Sequence, residues 1–166
     1  MSAIDNVVTA NGSYASTFEL SELSHKPRKR LAVVTCMDTR IEVEKMLGLH
    51  PGEANILRNA GAIVTEDVIR SLIISHQQLG SEEIMIIGHT NCGATGFENE
   101  EFVNELIGIS GSTAVSPGHF LNFHDVEMHT RQQVLKVRSH PWISDSVTTR
   151  GFIYDVETGK LTEIQV

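Results

Sequence analysis

In Leu31-Ala32-Val33-Val34-Thr35-Cys36-Met37-Asp38-Thr39-Arg40 a β-branched apolar run stops abruptly at a thiol, a carboxylate and a guanidinium. Such a run reads as a strand buried on both faces, and its polar end reads as chemistry delivered to the edge of a sheet. A second run, Ile84-Met85-Ile86-Ile87, stops in the same way at Gly88-His89-Thr90-Asn91-Cys92. Cys36 and Cys92 are the only two cysteines in the chain, so both thiols are expected at strand ends.

The segments between these runs fix the fold class. Ile41 to Leu47 has a short helical pattern closed by Gly48, and Pro51-Gly52 makes a turn before a strand, Ala54-Asn55-Ile56-Leu57, that runs into Arg58-Asn59-Ala60-Gly61. Thr65 is a good N-cap, followed by Glu66 and Asp67 in the first turn, and Val68, Ile69, Leu72 and Ile73 recur at helical spacing until Gly80. Strand, helix, strand, helix, strand with doubly buried strands predicts an α/β fold, a mostly parallel sheet covered by helices. Ligands in such sheets bind beyond the carboxyl ends of the strands where the winding reverses, and in a 2-1-3 order Cys36 would there meet His89 and Cys92.

Further on, Glu100 to Ile107 reads as a helix leading into a loose Gly/Ser/Pro loop through Gly118, and a second helix runs from about Phe123 to Arg138, ahead of His140-Pro141. Arg150 to Asp155 and Lys160 to Ile164, around Thr158-Gly159, predict a C-terminal hairpin that adds an edge to the sheet. Residues 1–30 are polar with scattered apolar positions, an N-terminal arm on an otherwise single domain spanning 1–166. Within it Tyr14 and Phe18, one helical turn apart, suit an anchor on the body or on a second subunit.

Charge narrows the partners. With 13 Lys and Arg against 21 Asp and Glu the net charge is −8, which repels phosphate backbones and anionic lipid and argues against nucleic acid and membrane surfaces. The basic stretch Lys26-Pro27-Arg28-Lys29-Arg30 reads as the solvated lead into the first strand. No apolar run approaches the ~18 residues of a membrane span, and the N-terminus lacks a signal-peptide pattern, so a cytoplasmic protein is expected. In a reducing compartment two cysteines serve as ligands, nucleophiles or core residues rather than as a disulfide.

Two thiolates and an imidazole form a soft ligand set suited to Zn2+, and three protein ligands leave a fourth position open for water or substrate. The spacing in His89-Thr90-Asn91-Cys92 lets both side chains reach one ion from a tight turn, with Cys36 supplied by the neighbouring strand. Asp38 and Arg40 have two readings. One is a cap of the next helix with an exposed arginine; in the other, alternation along an extended segment puts Cys36, Asp38 and Arg40 on one side, with an Arg-held carboxylate beside the metal. That carboxylate would orient a metal-bound water or itself occupy the fourth position. A Cys-based phosphatase loop needs five residues between its cysteine and arginine, whereas three lie between Cys36 and Arg40, and no nucleotide-binding glycine motif is present.

Cys36-Met37-Asp38-Thr39-Arg40, Arg58-Asn59-Ala60-Gly61 and His89-Thr90-Asn91-Cys92 together closely resemble the β-class carbonic anhydrases, especially their compact microbial members. The similarity extends to the Tyr14/Phe18 region, the helix after Thr65 and the segment Thr149 to Asp155. By this resemblance Cys36, His89 and Cys92 bind zinc, Asp38 and Arg40 form the catalytic dyad, and the protein is a homodimer or dimer of dimers with its site near the subunit interface. The implied reaction is attack of a zinc-bound hydroxide on CO2 to give bicarbonate and a proton. The same scaffold serves hydrolases of carbonyl sulfide or carbon disulfide, which release H2S, and motif residues do not separate these substrates. A non-catalytic zinc-stabilised binding module, with Asp38 closing the fourth position, is the alternative from another class. None of the other seven histidines, His25, His50, His76, His119, His124, His129 and His140, is singled out as a proton shuttle.

Overall fold

The computed structural model describes residues 1–114 and 117–166. Its centre is a five-stranded sheet in the order β2-β1-β3-β4-β5. The strands are β1 (Leu31–Cys36), β2 (Ala54–Asn59), β3 (Glu83–His89), β4 (Thr148–Tyr154) and β5 (Leu161–Ile164). The first four run parallel and β5 closes the edge antiparallel to β4, as the hairpin pattern predicts. In this register Cys36 lies opposite Asn59 and Thr35 opposite Ile87, so the carboxyl ends of β1, β2 and β3 lie side by side.

Helices α2 (Val43–Leu47), α3 (Glu66–Gln77) and α5 (Val126–Arg138) cover the sheet. One face of the core joins Ala32, Val34, Ile84 and Ile86 to Val68, Leu72, Val134 and Val137 from α3 and α5. The other face joins Val33 and Ile87 to Val43 of α2, to Cys36 and Cys92, and to the half-buried Met46, Phe123 and Tyr154. Val33, Val34, Ile86 and Ile87 are all fully buried, the two-sided burial expected of parallel strands.

Several boundaries move for identifiable reasons. The strands β2 and β3 run on to Asn59 and His89, because the parallel ladder continues past the apolar residues. The helix expected from Phe123 begins at Val126, because Asp125 caps it by accepting the Met128 N–H at 2.9 Å. That delay leaves Phe123 outside the helix and free to pack on its first turn. Thr65 caps α3 as expected, and Gly48 ends α2 in the left-handed conformation. The helix expected over 100–107 is α4 (Asn99–Ser110), and positions 115 and 116 of the loop beyond it lie outside the described residues.

Residues 3–16 of the arm form a helix, α1 (Ala3–Ser16), started by a reciprocal Ser2–Asp5 capping box, with no buried residue. Tyr14 and Phe18 contact each other edge to face at 5.6 Å rather than anchoring to the sheet. Arg28 and Lys29 pair with Glu53, and Arg30 with Glu82, so the basic stretch is spent on neighbouring acids. Among the described residues no helix is long and apolar enough to cross a membrane.

Candidate metal centre

Parallel strand order brings the ends of β1 and β3 together, and with them Cys36, His89 and Cys92. Their ligand atoms lie within 4.8 Å of one another, and all three residues are buried. Cys92 is carried on a turn after β3 in which Asn91 adopts a left-handed φ of 52°, a conformation that asparagine tolerates better than most residues. The turn is held by its own backbone, since the Cys92 carbonyl accepts both the Thr95 hydroxyl at 2.8 Å and the Thr95 N–H at 3.1 Å.

The imidazole is oriented for ligation. His89 Nδ1 lies 2.9 Å from the Thr90 carbonyl, which accepts only from an N–H, so the proton sits on Nδ1 and the Nε2 lone pair is left free. His89 is 1 % exposed, and its Nε2 is one of two buried side-chain polar atoms without a partner among the described residues. A buried acceptor without a donor is costly unless something else occupies it. A cation shared with two thiolates satisfies it, and the donor set of two sulfurs and one nitrogen fits zinc.

The thiols show the same tendency. Hydrogen bonding from Cys92 lowers the Cys36 thiol to about 3, while the bond to Cys36, followed by burial, pushes Cys92 upward. The two shifts run in opposite directions, favouring ionisation of Cys36 and opposing that of Cys92, and a cation held between them would favour the thiolate form of both.

Asp38 and Arg40 form a two-pronged pair: Arg40 Nε donates to Asp38 Oδ1 at 2.9 Å and Arg40 Nη2 to Oδ2 at 2.7 Å. The Arg40 backbone N–H adds a second bond to Oδ1 at 2.9 Å. The chain turns at residues 39–40, so backbone reversal, and not alternation along an extended segment, brings the two side chains together. Asp38 does not cap α2, whose N-cap is Glu42 without a side-chain bond. Arg40 holds the Asp38 carboxyl well below the usual carboxylate range, and Asp38 Oδ2 lies 3.9 Å from His89 Nε2.

Supporting residues beyond these five are less visible in sequence. Arg58 fastens the β1 exit, donating from Nε to the Cys36 carbonyl at 2.9 Å and from Nη2 to the Asp38 carbonyl at 2.7 Å. Gly61 donates its N–H to Cys36 Sγ at 3.3 Å. Arg58 and Gly61 stand in a stretch that the motif resemblance marks, but their bonds follow from the β1–β2 pairing, which no local pattern reports. Three phenylalanines also reach the site, Phe97 from just beyond Cys92 and Phe102 and Phe120 from further along the chain, and nothing in their spacing announces it. Phe97, Phe102 and Phe120, with ring centroids 4.9 Å and 4.8 Å apart in succession, wall a cavity of about 620 Å3 whose floor carries Cys36, Asp38 and Cys92.

Gly61 has a positive φ of 80°, and a Cβ there would lie 2.9 Å from Phe123 Cε1. Gly61→Ala is accordingly expected to lower stability by about 1–3 kcal/mol through backbone strain and the clash with Phe123. Denaturant unfolding of the two proteins at matched metal content measures it; an equal stability would contradict the packing described.

The profile of the family described as carbonic anhydrase matches residues 31–161, a span that contains all five residues. The chain is 39 % identical over 165 residues to β-carbonic anhydrase 1 of Mycobacterium tuberculosis, covering 99 % of each. It is 35 % identical over 155 residues to the carbon disulfide hydrolase of Saccharolobus solfataricus, covering 80 % of this chain and 76 % of that one. Among solved structures, a carbonic anhydrase from Streptococcus mutans superposes with a TM-score of 0.93 at 44 % identity, covering 99 % of both chains.

Proposed function

The chain belongs to the β-carbonic anhydrase family, and we propose that it hydrates CO2 to bicarbonate and a proton at a zinc ion held by Cys36, His89 and Cys92, with Asp38 and Arg40 as the catalytic pair. The observation that carries this reading is the buried His89 Nε2, which has no hydrogen-bond partner among the described residues and belongs to a cluster with Cys36 and Cys92 whose ligand atoms lie within 4.8 Å of one another. Zinc, when bound, supplies a Lewis acid that brings the pKa of a coordinated water to about 7.

The chain's own groups do the rest. Asp38 Oδ1 already accepts two bonds, whereas Oδ2 accepts one from Arg40 and keeps a lone pair on the side facing His89. That lone pair accepts a hydrogen bond from the reacting water and sets which of its lone pairs faces the substrate carbon. Arg40 fixes the carboxylate and is itself fixed by the Asn91 carbonyl, to which Nη2 donates at 2.9 Å. Moving Asp38 onto the metal as a fourth ligand would break this two-pronged grip, which favours an open, catalytic site over a closed binding module. The phenylalanine wall presents apolar surface to a small molecule without charge or net dipole, and it excludes competing polar ligands.

The same wall admits carbonyl sulfide and carbon disulfide, so hydrolysis of those molecules is the second reading. The primary test is metal reconstitution. Chelator-stripped protein should regain CO2 hydration in proportion to added zinc, with a plateau at about one ion per chain. Activity that is full without metal, or absent at one zinc per chain, would sink the proposal.

A homodimer or dimer of dimers is part of the same reading. The apolar side chains of α1 are left exposed, with Ile4 73 % and Val7 65 % accessible and no residue of the helix buried among the described residues. A sedimentation mass of a single chain would contradict it. Two free thiols that serve as ligands are preserved best in a reducing compartment, which supports a cytoplasmic setting.

A further inference from the structure

Gly61 N–H reaches Cys36 Sγ only because the chain between β2 and α3 is bent in an unusual way. Gly61 and Ala62 both have left-handed φ values, 80° and 55°, and Ala62 carries a Cβ that disfavours this conformation. Asn59 clamps the far side of the bend, donating from Nδ2 to the Ile63 carbonyl at 2.7 Å and accepting the Ile63 N–H at 2.8 Å. The near side is held from α5 by His129.

His129 is buried, and its ring lies flat on Phe123 with centroids 3.7 Å apart and planes inclined by 6°. Its Nε2 is 3.2 Å from the Gly61 carbonyl. Its Nδ1 is 3.4 Å from Gln133 Nε2, while Gln133 Oε1 accepts the Val64 N–H at 2.9 Å. The direction of every bond in this series follows from its first member. Val64 N–H requires an oxygen, which turns the Gln133 amide nitrogen toward the ring; Nδ1 must then accept, so the ring proton sits on Nε2 and is donated to Gly61. Burial lowers the His129 pKa, in keeping with a neutral ring that has one donor and one acceptor.

We propose that His129 is a positioning residue, which through the Gly61 carbonyl keeps the Gly61 N–H aimed at Cys36 Sγ and so tunes how strongly that thiolate holds the metal. His129 touches neither substrate nor metal. The inference rests on the assignment of Cys36 as a ligand.

The test uses His129→Phe, which keeps an aromatic ring on Phe123 but removes the donor, and His129→Gln, which keeps an amide donor. In Co2+-loaded protein, His129→Phe should shift the thiolate-to-cobalt charge-transfer band to lower energy, because the sulfur loses part of its hydrogen bonding. Zinc affinity, from competition with a chelator, should fall about tenfold, the low end of what outer-shell partners are worth. His129→Gln should recover a good part of both. A band and an affinity in His129→Phe equal to those of the parent protein would overturn the inference. In the parent protein, nitrogen-15 NMR of the His129 ring should show the proton on Nε2; a proton on Nδ1 would overturn it too, whether or not the variant folds. A parent protein with no thiolate-to-cobalt band would remove the ligand assignment itself, whereas a normal parent band unchanged in His129→Phe removes only the role of His129.

Discussion

Replacing Cys92 by serine is expected to abolish zinc binding and CO2 hydration together. The substitution nearly conserves volume, and the turn that carries residue 92 is held through its backbone carbonyl by Thr95, so the fold should survive. What changes is the ligand. A serine hydroxyl does not ionise near neutral pH and offers a hard neutral oxygen in place of a thiolate, leaving His89 Nε2 and Cys36 with an incomplete set. Loss of an outer-shell partner alone costs roughly 10–100-fold in metal affinity, so loss of a ligand should exceed that range. Metal analysis after desalting should give close to one zinc per chain in the parent protein and close to none in Cys92→Ser. Retention of stoichiometric zinc by the variant would remove Cys92 from the ligand set.

Asp38→Asn should separate metal binding from catalysis. The amide has the same shape, but it cannot accept at both positions, so one prong of Arg40 would meet an N–H in place of an oxygen. The reacting water would then lose its anionic acceptor while the three ligands stay in place. We expect zinc content to be unchanged and kcat to fall by about 100- to 10,000-fold, the range typical of a positioned proton acceptor. An unchanged kcat would reduce Asp38 to an element of the β1 exit turn.

The pH behaviour of this carboxylate has a definite sign. Arg40 lowers its folded pKa below the unfolded value of about 3.9, so the folded state binds fewer protons there. The stability contributed by the Asp38–Arg40 pair is therefore fully present above about pH 4 and lost only as pH falls through the folded value. Between about pH 5 and 9 the pair should contribute no slope to a stability curve, and Asp38 should contribute no acidic limb to the rate profile.

The fold was legible in sequence wherever a short-range pattern controls it. Two-sided apolar runs mark the central parallel strands, Thr65 and Gly48 mark helix ends, and the Thr158-Gly159 turn marks the edge hairpin. The convergence of Cys36, His89 and Cys92 is legible because each stands just where an apolar run stops. Extended alternation puts Asp38 and Arg40 on the same side, but it is a turn at residues 39–40 that closes the contact. Hidden from sequence were contributions that depend on tertiary approach. Arg58 acts through strand pairing, His129 through a helix packed on the back of the site, and Phe102 and Phe120, which close over the site beside Phe97, through the folding of the chain beyond Cys92. The helical state of residues 3–16 is also not legible, since a polar segment with scattered apolar positions shows little periodicity and its stabilising contacts are local caps.

The most direct test compares CO2 hydration with sulfide release from carbonyl sulfide and carbon disulfide on one zinc-loaded preparation. The kcat/KM for CO2 should exceed both hydrolytic values, and chelation of zinc should remove all three activities. A preference of several orders of magnitude for carbonyl sulfide or carbon disulfide would contradict the proposed substrate while leaving the metal centre intact.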